Sequence, residues 1–262
     1  MFCGGSCKVN SRHEPREWSD EQINVYLAGT AESDYPQVFW KIMKTTHPEA
    51  RTLLDIGSGP GAFALAAAEE GLQVQAVDMS RKSLEALMGE AKRRKLAGIT
   101  AICGSWPTVK ASPADLVVCA YSFGGSIGTR KGIETILQAA LKTAYLICPF
   151  EKEQADFLSR PLYERAGLSP PAYKGNYSDI LDIFQILGEQ VRTSKISYDF
   201  GMPLPAEEDL PWCARFLADK LGLPSVKEVE KHLRSIARGK NNHLWIPNPR
   251  TSIMITWKRR NS

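Results

Sequence analysis

No stretch of the 262 residues approaches the ~18–20 consecutive apolar residues that a membrane-spanning helix needs. The first residues, Met1 to Arg16, are polar and lack the apolar centre of a secretory signal. A cytoplasmic protein with no membrane partner is expected. No internal repeat and no low-complexity tract interrupts the chain. Neither sign of charge dominates: the formal net charge is +4, with 43% hydrophobic and 24% charged residues. Such values suit a soluble globular chain and do not by themselves imply a polyanionic partner. Histidine is scarce, at four residues. The six cysteines are read as free thiols in preference to a disulfide framework. Cys103, Cys119 and Cys148 fall in or at the end of apolar runs, where free cysteine acts as a small hydrophobe, and a reducing compartment suits that usage.

What is present is a regular alternation that begins at Arg51. Thr52–Ile56, Leu72–Val77, Ile99–Cys103, Asp115–Ala120 and Ala144–Cys148 read as buried strands. Ala62–Glu70, Arg81–Lys95 and Lys131–Ala140 read as the helices between them. This order predicts a parallel sheet covered on both faces, and the crossover rule makes it doubly wound. Before it, Tyr35–Thr46 has helical spacing, and the first ~30 residues are expected to be poorly ordered, as termini of this kind often are. After it, Glu151–Ala166 reads as a helix, Gln190–Phe200 as an exposed strand and Ser252–Lys258 as a closing strand. A helical insertion is expected at about 205–240, broken at Gly222-Leu223-Pro224. The fold class is therefore α/β: a Rossmann-like, seven-stranded, mostly parallel sheet with an antiparallel edge strand. Residues 1–50 are expected to form an N-terminal helical cap and 51–262 the main domain.

The segment Leu53-Leu54-Asp55-Ile56-Gly57-Ser58-Gly59-Pro60-Gly61 lies where a strand turns into a helix. Glycines there let a ligand approach the main chain, and the helix start presents unpaired N–H groups. The spacing Gly57, Gly59, Ala62 also satisfies a dinucleotide fingerprint, so a dehydrogenase must be weighed. Against it, Asp55 suits a cationic amino-acid end and would sit badly beside a pyrophosphate. Gly61 adds a third glycine. Asp78, at the tip of the second strand, can accept from both hydroxyls of a ribose in either enzyme class.

This segment resembles the class I S-adenosylmethionine-dependent methyltransferase family over roughly Leu53 to Phe150. The family's acidic residue and G-x-G-x-G pattern are matched by Asp55, Gly57, Gly59 and Gly61. Its acid at the end of strand two is matched by Asp78. The resemblance implies S-adenosylmethionine as cofactor, with Ser58 in the same turn and Met79 against the adenine. In the family's third motif, an aspartate is replaced by Gly104-Ser105-Trp106-Pro107. Ser105 would accept one hydrogen bond there, and Trp106 would pack on the adenine ring. The chain leaves strand four at Ala120 and Tyr121, beside the implied position of the methyl group, and Tyr121 is the one candidate catalytic residue. The Asn/Asp-Pro-Pro-Tyr signature of amino-methylating nucleic-acid enzymes is absent.

No histidine reads as a base: His13, His47, His232 and His243 are expected to be exposed or structurally satisfied. Cys3 and Cys7 with His13 are too few for a structural zinc, so no metal is expected. Aromatic residues Trp18, Tyr26, Tyr35 and Trp40, and later Tyr173, Tyr177, Trp212 and Phe216, are candidates to close a small, mostly apolar acceptor pocket. A small-molecule acceptor is expected, in a monomer or homodimer. The basic runs Lys92–Lys95, Arg238–Lys240 and Lys258–Arg260 keep an RNA or protein acceptor as the alternative. A non-catalytic cofactor-binding module is a third reading.

Overall fold

A computed structural model describes residues 17–173, 175–204 and 206–260. Cys3, Cys7 and His13 lie outside the described residues. The polar N-terminal stretch contains a helix, α1 (Asp20–Glu32), that was not expected. Ser19 explains its start. The Ser19 hydroxyl accepts the Gln22 N–H, and the Gln22 side chain accepts the Ser19 N–H, each at 3.1 Å. This reciprocal pair is a capping box. Helix α2 (Gln37–Thr46) follows, and its Phe39, Trp40 and Met43 are buried in the same core as the first strand.

The alternation then runs as the periodicity predicts. Strand β1 (Thr52–Ile56) leads to α3 (Ala62–Glu69), β2 (Gln73–Asp78), α4 (Arg81–Arg93) and β3 (Ile99–Cys103). Next come β4 (Ala114–Ala120), α5 (Arg130–Ala139) and β5 (Ala140–Pro149). Ser80 and Thr129 cap α4 and α5 with their hydroxyls, satisfying first-turn N–H groups. Lys92 and Arg93 close α4, where cations complement the helix dipole.

The expected helix over Glu151–Ala166 is not continuous. Phe157 and Leu158 have φ of 57° and 55°, values that end any helix. Only α6 (Arg160–Arg165) is α-helical in that stretch. The reason is long-range. The Phe157 N–H donates to the Asn248 side chain at 2.8 Å, and the buried Asp156 turns inward to Arg250. Helix α7 (Tyr177–Leu187) and strand β6 (Arg192–Asp199) come next. The insertion holds β7 (Met202–Leu204), α8 (Leu210–Leu221), α9 (Val226–Ile236), β8 (Arg238–Lys240) and β9 (His243–Ile246). Gly222 ends α8 in the left-handed conformation, at the expected break. Strand β10 (Pro249–Lys258) closes the chain.

The seven strands of the main sheet run in the order β3-β2-β1-β4-β5-β10-β6. Strands β3 to β5 are parallel, and β10 is antiparallel to both β5 and β6. The fold class is thus an α/β Rossmann-like sheet. Its antiparallel strand lies one place in from the edge, with β6 outermost. A second sheet, β7-β9-β8, was not expected. Its strands are three or four residues long and carry too little periodicity to read. One apolar cluster fills each face of the main sheet and a third lies under the insertion. No helix among the described residues is long and apolar enough to cross a membrane.

Candidate functional site

The strand order reverses direction between β1 and β4, and ligands in doubly wound folds bind there, beyond the carboxyl ends of the strands. A cavity of about 440 Å³ lies at this place. Asp55, Gly57, Ser58, Gly59, Ala120 and Tyr121 all line it. The turn after β1 is held by the N–H groups of Gly57 and Ser58, which donate to Val77 O at 2.8 and 3.1 Å.

Two of the glycines do different work. Gly61 has φ of 90°, and a Cβ there would lie 2.2 Å from Leu87 Cδ1. It serves the packing of the turn on α4. Gly59 has φ of 52°, and a Cβ there would meet nothing within 4 Å. It leaves the main chain open to the cavity side.

Asp55 is 2% exposed. One carboxylate oxygen accepts the Ala64 N–H at 3.1 Å. Burial, with a smaller contribution from Asp78, pushes its carboxyl up to about 7 against the pull of that hydrogen bond. Asp78 does not line the cavity. Its two oxygens accept the N–H groups of Gly59 and Ser80, each at 2.8 Å. Burial also raises its carboxyl, opposed by those same N–H groups.

The remaining expected residues are divided. Met79 is 41% exposed at the end of β2. Ser105 lies beyond β3, 3.4 Å from the Ser126 hydroxyl. The Trp106 ring is not presented to the cavity. It is buried in the core on the α5 face, and its indole N–H donates to Gly132 O at 3.4 Å. Packing against α5, not against a ligand, sets its position.

Tyr121 leaves β4 with φ of 56°, a strained value for a side chain of this size. Its hydroxyl pairs with the Tyr198 hydroxyl and with Ser252 Oγ, the latter at 2.6 Å. Burial holds its phenol far above the usual range, so it stays protonated and acts as a hydrogen-bonding group. None of the three described histidines lines this cavity. His47 pairs with Thr143 at 2.8 Å and His232 with Phe157 O at 2.9 Å. Among the described residues there is no cluster fit to hold a metal ion.

Several residues that line the cavity carried no motif. Tyr198, Asp156, Lys220 and Arg250 come from distant segments. Tyr198 stands opposite Arg250 across β6 and β10. Arg250 Nη2 donates to Asp156 Oδ1 at 2.8 Å, and Tyr173 Oη donates to the same oxygen at 2.8 Å. Burial works against ionisation of Asp156, yet Arg250, Gln154, Lys220 and Tyr173 outweigh it and hold the carboxyl below the usual range. Of the aromatic candidates, Trp18, Tyr26 and Tyr35 line the cavity. Trp40 is buried in the core, and Tyr177 stacks on Phe150 away from the cavity. Trp212 is 42% exposed, and its indole N–H donates to Glu21.

The chain from residue 53 to residue 143 matches a family described as a methyltransferase domain. These residues carry the turn after β1, the end of β2 and the exit from β4. The chain contains a class I S-adenosylmethionine-dependent methyltransferase domain. Among solved structures, the domain resembles the YcgJ protein from Bacillus subtilis at 16% identity and a TM-score of 0.53. That match covers 86% of this chain and 100% of the other. A putative methyltransferase from Bacillus halodurans matches at 15% identity with the same TM-score and coverage. Phosphoethanolamine N-methyltransferase 2 from Haemonchus contortus matches at 19% identity and a TM-score of 0.55 over 93% of this chain; the match spans 59% of that protein's length. At these identities the likeness is one of fold. A comparison with curated proteins finds no match. The methyltransferase domain takes S-adenosylmethionine as its cofactor.

Proposed function

We propose that the methyltransferase domain transfers a methyl group to a small-molecule acceptor, and that the residues of the glycine turn hold the donor. The arrangement fits S-adenosylmethionine at its amino-acid end. Asp55 supplies a carboxylate beside the turn in the cavity wall, and it faces an ammonium group best when ionised. Open main chain at Gly59 accommodates a close approach. Asp78 meets the ribose by exchanging the Gly59 N–H for ribose hydroxyls. Met79 and Ser105 flank the adenine, with Trp106 supporting the loop from the core. Ala120 and Tyr121 border the reacting end.

When bound, S-adenosylmethionine supplies an activated methyl carbon that a nucleophile displaces in line. The chain's own residues then contribute alignment and exclusion of water. Tyr26, Tyr35, Tyr121, Tyr198 and Phe200 wall the cavity beside the turn. Tyr35 stacks on Tyr198 with centroids 5.7 Å apart. Burial pushes the phenols of Tyr26, Tyr35 and Tyr121 upward. They therefore donate and accept hydrogen bonds without serving as bases at neutral pH.

The observation that carries the small-molecule reading is the lining: Tyr26, Tyr35, Tyr121, Tyr198 and Phe200 wall a cavity of about 440 Å³, and aromatic walls suit a small, mostly apolar group. The basic runs point the same way. Arg93 and Arg94 pair with Glu90, Arg94 also pairs with Glu69, and Arg238 pairs with Asp199. None of these residues borders the cavity.

Two measurements test the proposal. S-adenosylmethionine and S-adenosylhomocysteine should raise the melting temperature and nicotinamide dinucleotides should not, because a ligand of the native state stabilises it by mass action. Label from methyl-labelled donor should then appear in a low-molecular-weight fraction of a cell extract. Label confined to RNA or protein would overturn the acceptor assignment. No label in any fraction would leave a binding module.

A further inference from the structure

Three hydroxyl groups meet where the exit of β4 comes against β6 and β10. The Tyr121 hydroxyl pairs with the Tyr198 hydroxyl and with Ser252 Oγ, the latter at 2.6 Å. The Tyr198 hydroxyl lies 3.5 Å from Ser252 Oγ. The sheet register explains the meeting. Ser252 is two residues on from Arg250, which stands opposite Tyr198, so the side chains of Ser252 and Tyr198 share one face of the sheet. Tyr198 is 7% exposed and Ser252 1%. Tyr121 and Tyr198 line the cavity at the glycine turn, and Ser252 does not. Tyr121 and Ser252 line a different cavity, of about 540 Å³.

Among the described residues these hydroxyls bond to one another and to no other group. Each brings one proton and two lone pairs. The two close contacts use two of the three protons. The third contact is long for an O–H···O bond, which normally spans about 2.5–3.0 Å. One proton of the cluster is therefore left without a close acceptor, and a buried hydroxyl in that state forfeits its bond with water.

The position of the spare proton depends on how the hydroxyls are turned. On Tyr198 or Tyr121 it gives the cavity at the turn an O–H donor. On Ser252 it is turned away from that cavity, and Tyr198 then offers lone pairs. The hydroxyls change between these settings by rotation alone, with no heavy atom moving. The wall beside them is aromatic, with Tyr26, Tyr35, Phe63 and Phe200 in the lining. The cluster is thus a polar spot in an aromatic surround, able to give or to take one hydrogen bond.

We infer that Tyr121, Tyr198 and Ser252 hold the nucleophilic atom of the methyl acceptor by a hydrogen bond, and that this atom is a hydroxyl oxygen or an amine nitrogen. This rests on the placement of the donor argued above, which sets Tyr121 at the reacting end. An oxygen has two lone pairs, so one accepts from the cluster while the other faces the methyl carbon. An amine needs its single lone pair for the methyl carbon, so it gives an N–H to a cluster oxygen instead. A thiol is a weak hydrogen-bonding partner and a carbon nucleophile gains nothing there. Tyr198 meets the acceptor directly. Ser252 acts through Tyr121 as a positioning residue.

The test uses the full chain saturated with S-adenosylhomocysteine. Phenol, aniline and toluene are titrated separately, and binding is followed by ligand-observed NMR. The three rings are alike in size and differ in the group they present. Toluene affinity reports the shape of the apolar wall. The ratio of phenol or aniline affinity to toluene affinity reports the hydrogen bond, and a merely structural change leaves that ratio alone. For at least one of the two probes the ratio should fall by about five- to tenfold in Tyr198→Phe, the worth of one hydrogen bond. It should fall in the same direction in Ser252→Ala. Each variant removes a single oxygen. The probe that carries the effect distinguishes an oxygen from a nitrogen nucleophile. Unchanged ratios in either variant, or no binding of any probe, overturn the inference. The titration of S-adenosylhomocysteine comes first. Its failure to bind would sink the donor placement, whereas unchanged ratios in a chain that binds it sink the hydroxyl cluster alone.

Discussion

Arg250 Nη2 donates to Asp156 Oδ1 at 2.8 Å, joining the first residue pair of β10 to the turn after β5 across 94 positions of sequence. The Asp156 side chain is 3% exposed and that of Arg250 21%. The pair lines both the cavity at the glycine turn and a second cavity of about 540 Å³. A charge in such a place is tolerated only with its partner.

Removing one member should therefore cost more than removing both. Asp156→Ala is expected to lower the unfolding free energy by about 3 kcal/mol or more, the usual effect of leaving a buried charge unpaired. Replacing both, as Asp156→Leu with Arg250→Met, should recover most of that loss. Urea denaturation of the two variants measures the difference. Equal destabilisation by both would show that the pair is not held as a unit.

Gly59 and Gly61 should fail in different ways when changed to alanine. At Gly61 the new methyl group meets Leu87 at 2.2 Å with φ of 90°. Stability should fall by about 2–3 kcal/mol from overpacking and backbone strain. At Gly59 nothing stands within 4 Å, so the stability loss should stay near the ~1 kcal/mol of a left-handed non-glycine residue. Its main effect should be on donor affinity, since the methyl group projects where a ligand approaches. Thermal unfolding with and without S-adenosylhomocysteine separates the two outcomes.

Donor binding should depend on pH through Asp55. Its folded-state carboxyl titrates at about 7, above the ordinary 3.8. The native protein therefore holds a proton that the unfolded chain has released across that window. Stability of the ligand-free protein from this group falls as pH rises from about 4 to 7. An ammonium group beside Asp55 favours the ionised form, so affinity for S-adenosylhomocysteine should rise as pH climbs toward 7 and then level. Binding below 7 should release protons, seen as a buffer-dependent enthalpy in calorimetry. Asp55→Asn should flatten the profile; a profile unchanged by it would remove Asp55 from the donor site.

Asp78→Ala should weaken S-adenosylhomocysteine by about 10–100-fold, the range for losing hydrogen bonds to a charged group. The carboxylate accepts the Gly59 N–H at 2.8 Å without ligand, so the variant also loosens the turn. Asp78→Asn tells the two effects apart, because its oxygen can still accept from Gly59. Calorimetric titration of both variants checks this. Wild-type affinity in both would refute the ribose assignment.

The sheet and its glycine turn were legible because their information is local. The short apolar runs of β1 to β5, the glycines after β1 and the acids Asp55 and Asp78 lie within one hundred residues, and short-range sterics decide what they form. Helix α1 was not read from the sequence, because its apolar face is thin: Ile23 and Gly29 are its buried residues, and the Ser19–Gln22 cap is the one local signal of its start. Trp106 shows the limit. Its neighbours in sequence suggest a ligand contact, while the core against α5 claims the ring.

By itself, then, the sequence determined the doubly wound architecture and the kind of donor the turn suits, because backbone conformation and strand order follow from nearby residues. Only the tertiary structure decided which distant residues gather beside the glycine turn. Tyr198, Arg250, Asp156 and Lys220 meet through the register of β6 on β10 and the buried ion pair across 94 positions. Those contacts depend on which side chains are desolvated together, and no single segment encodes that.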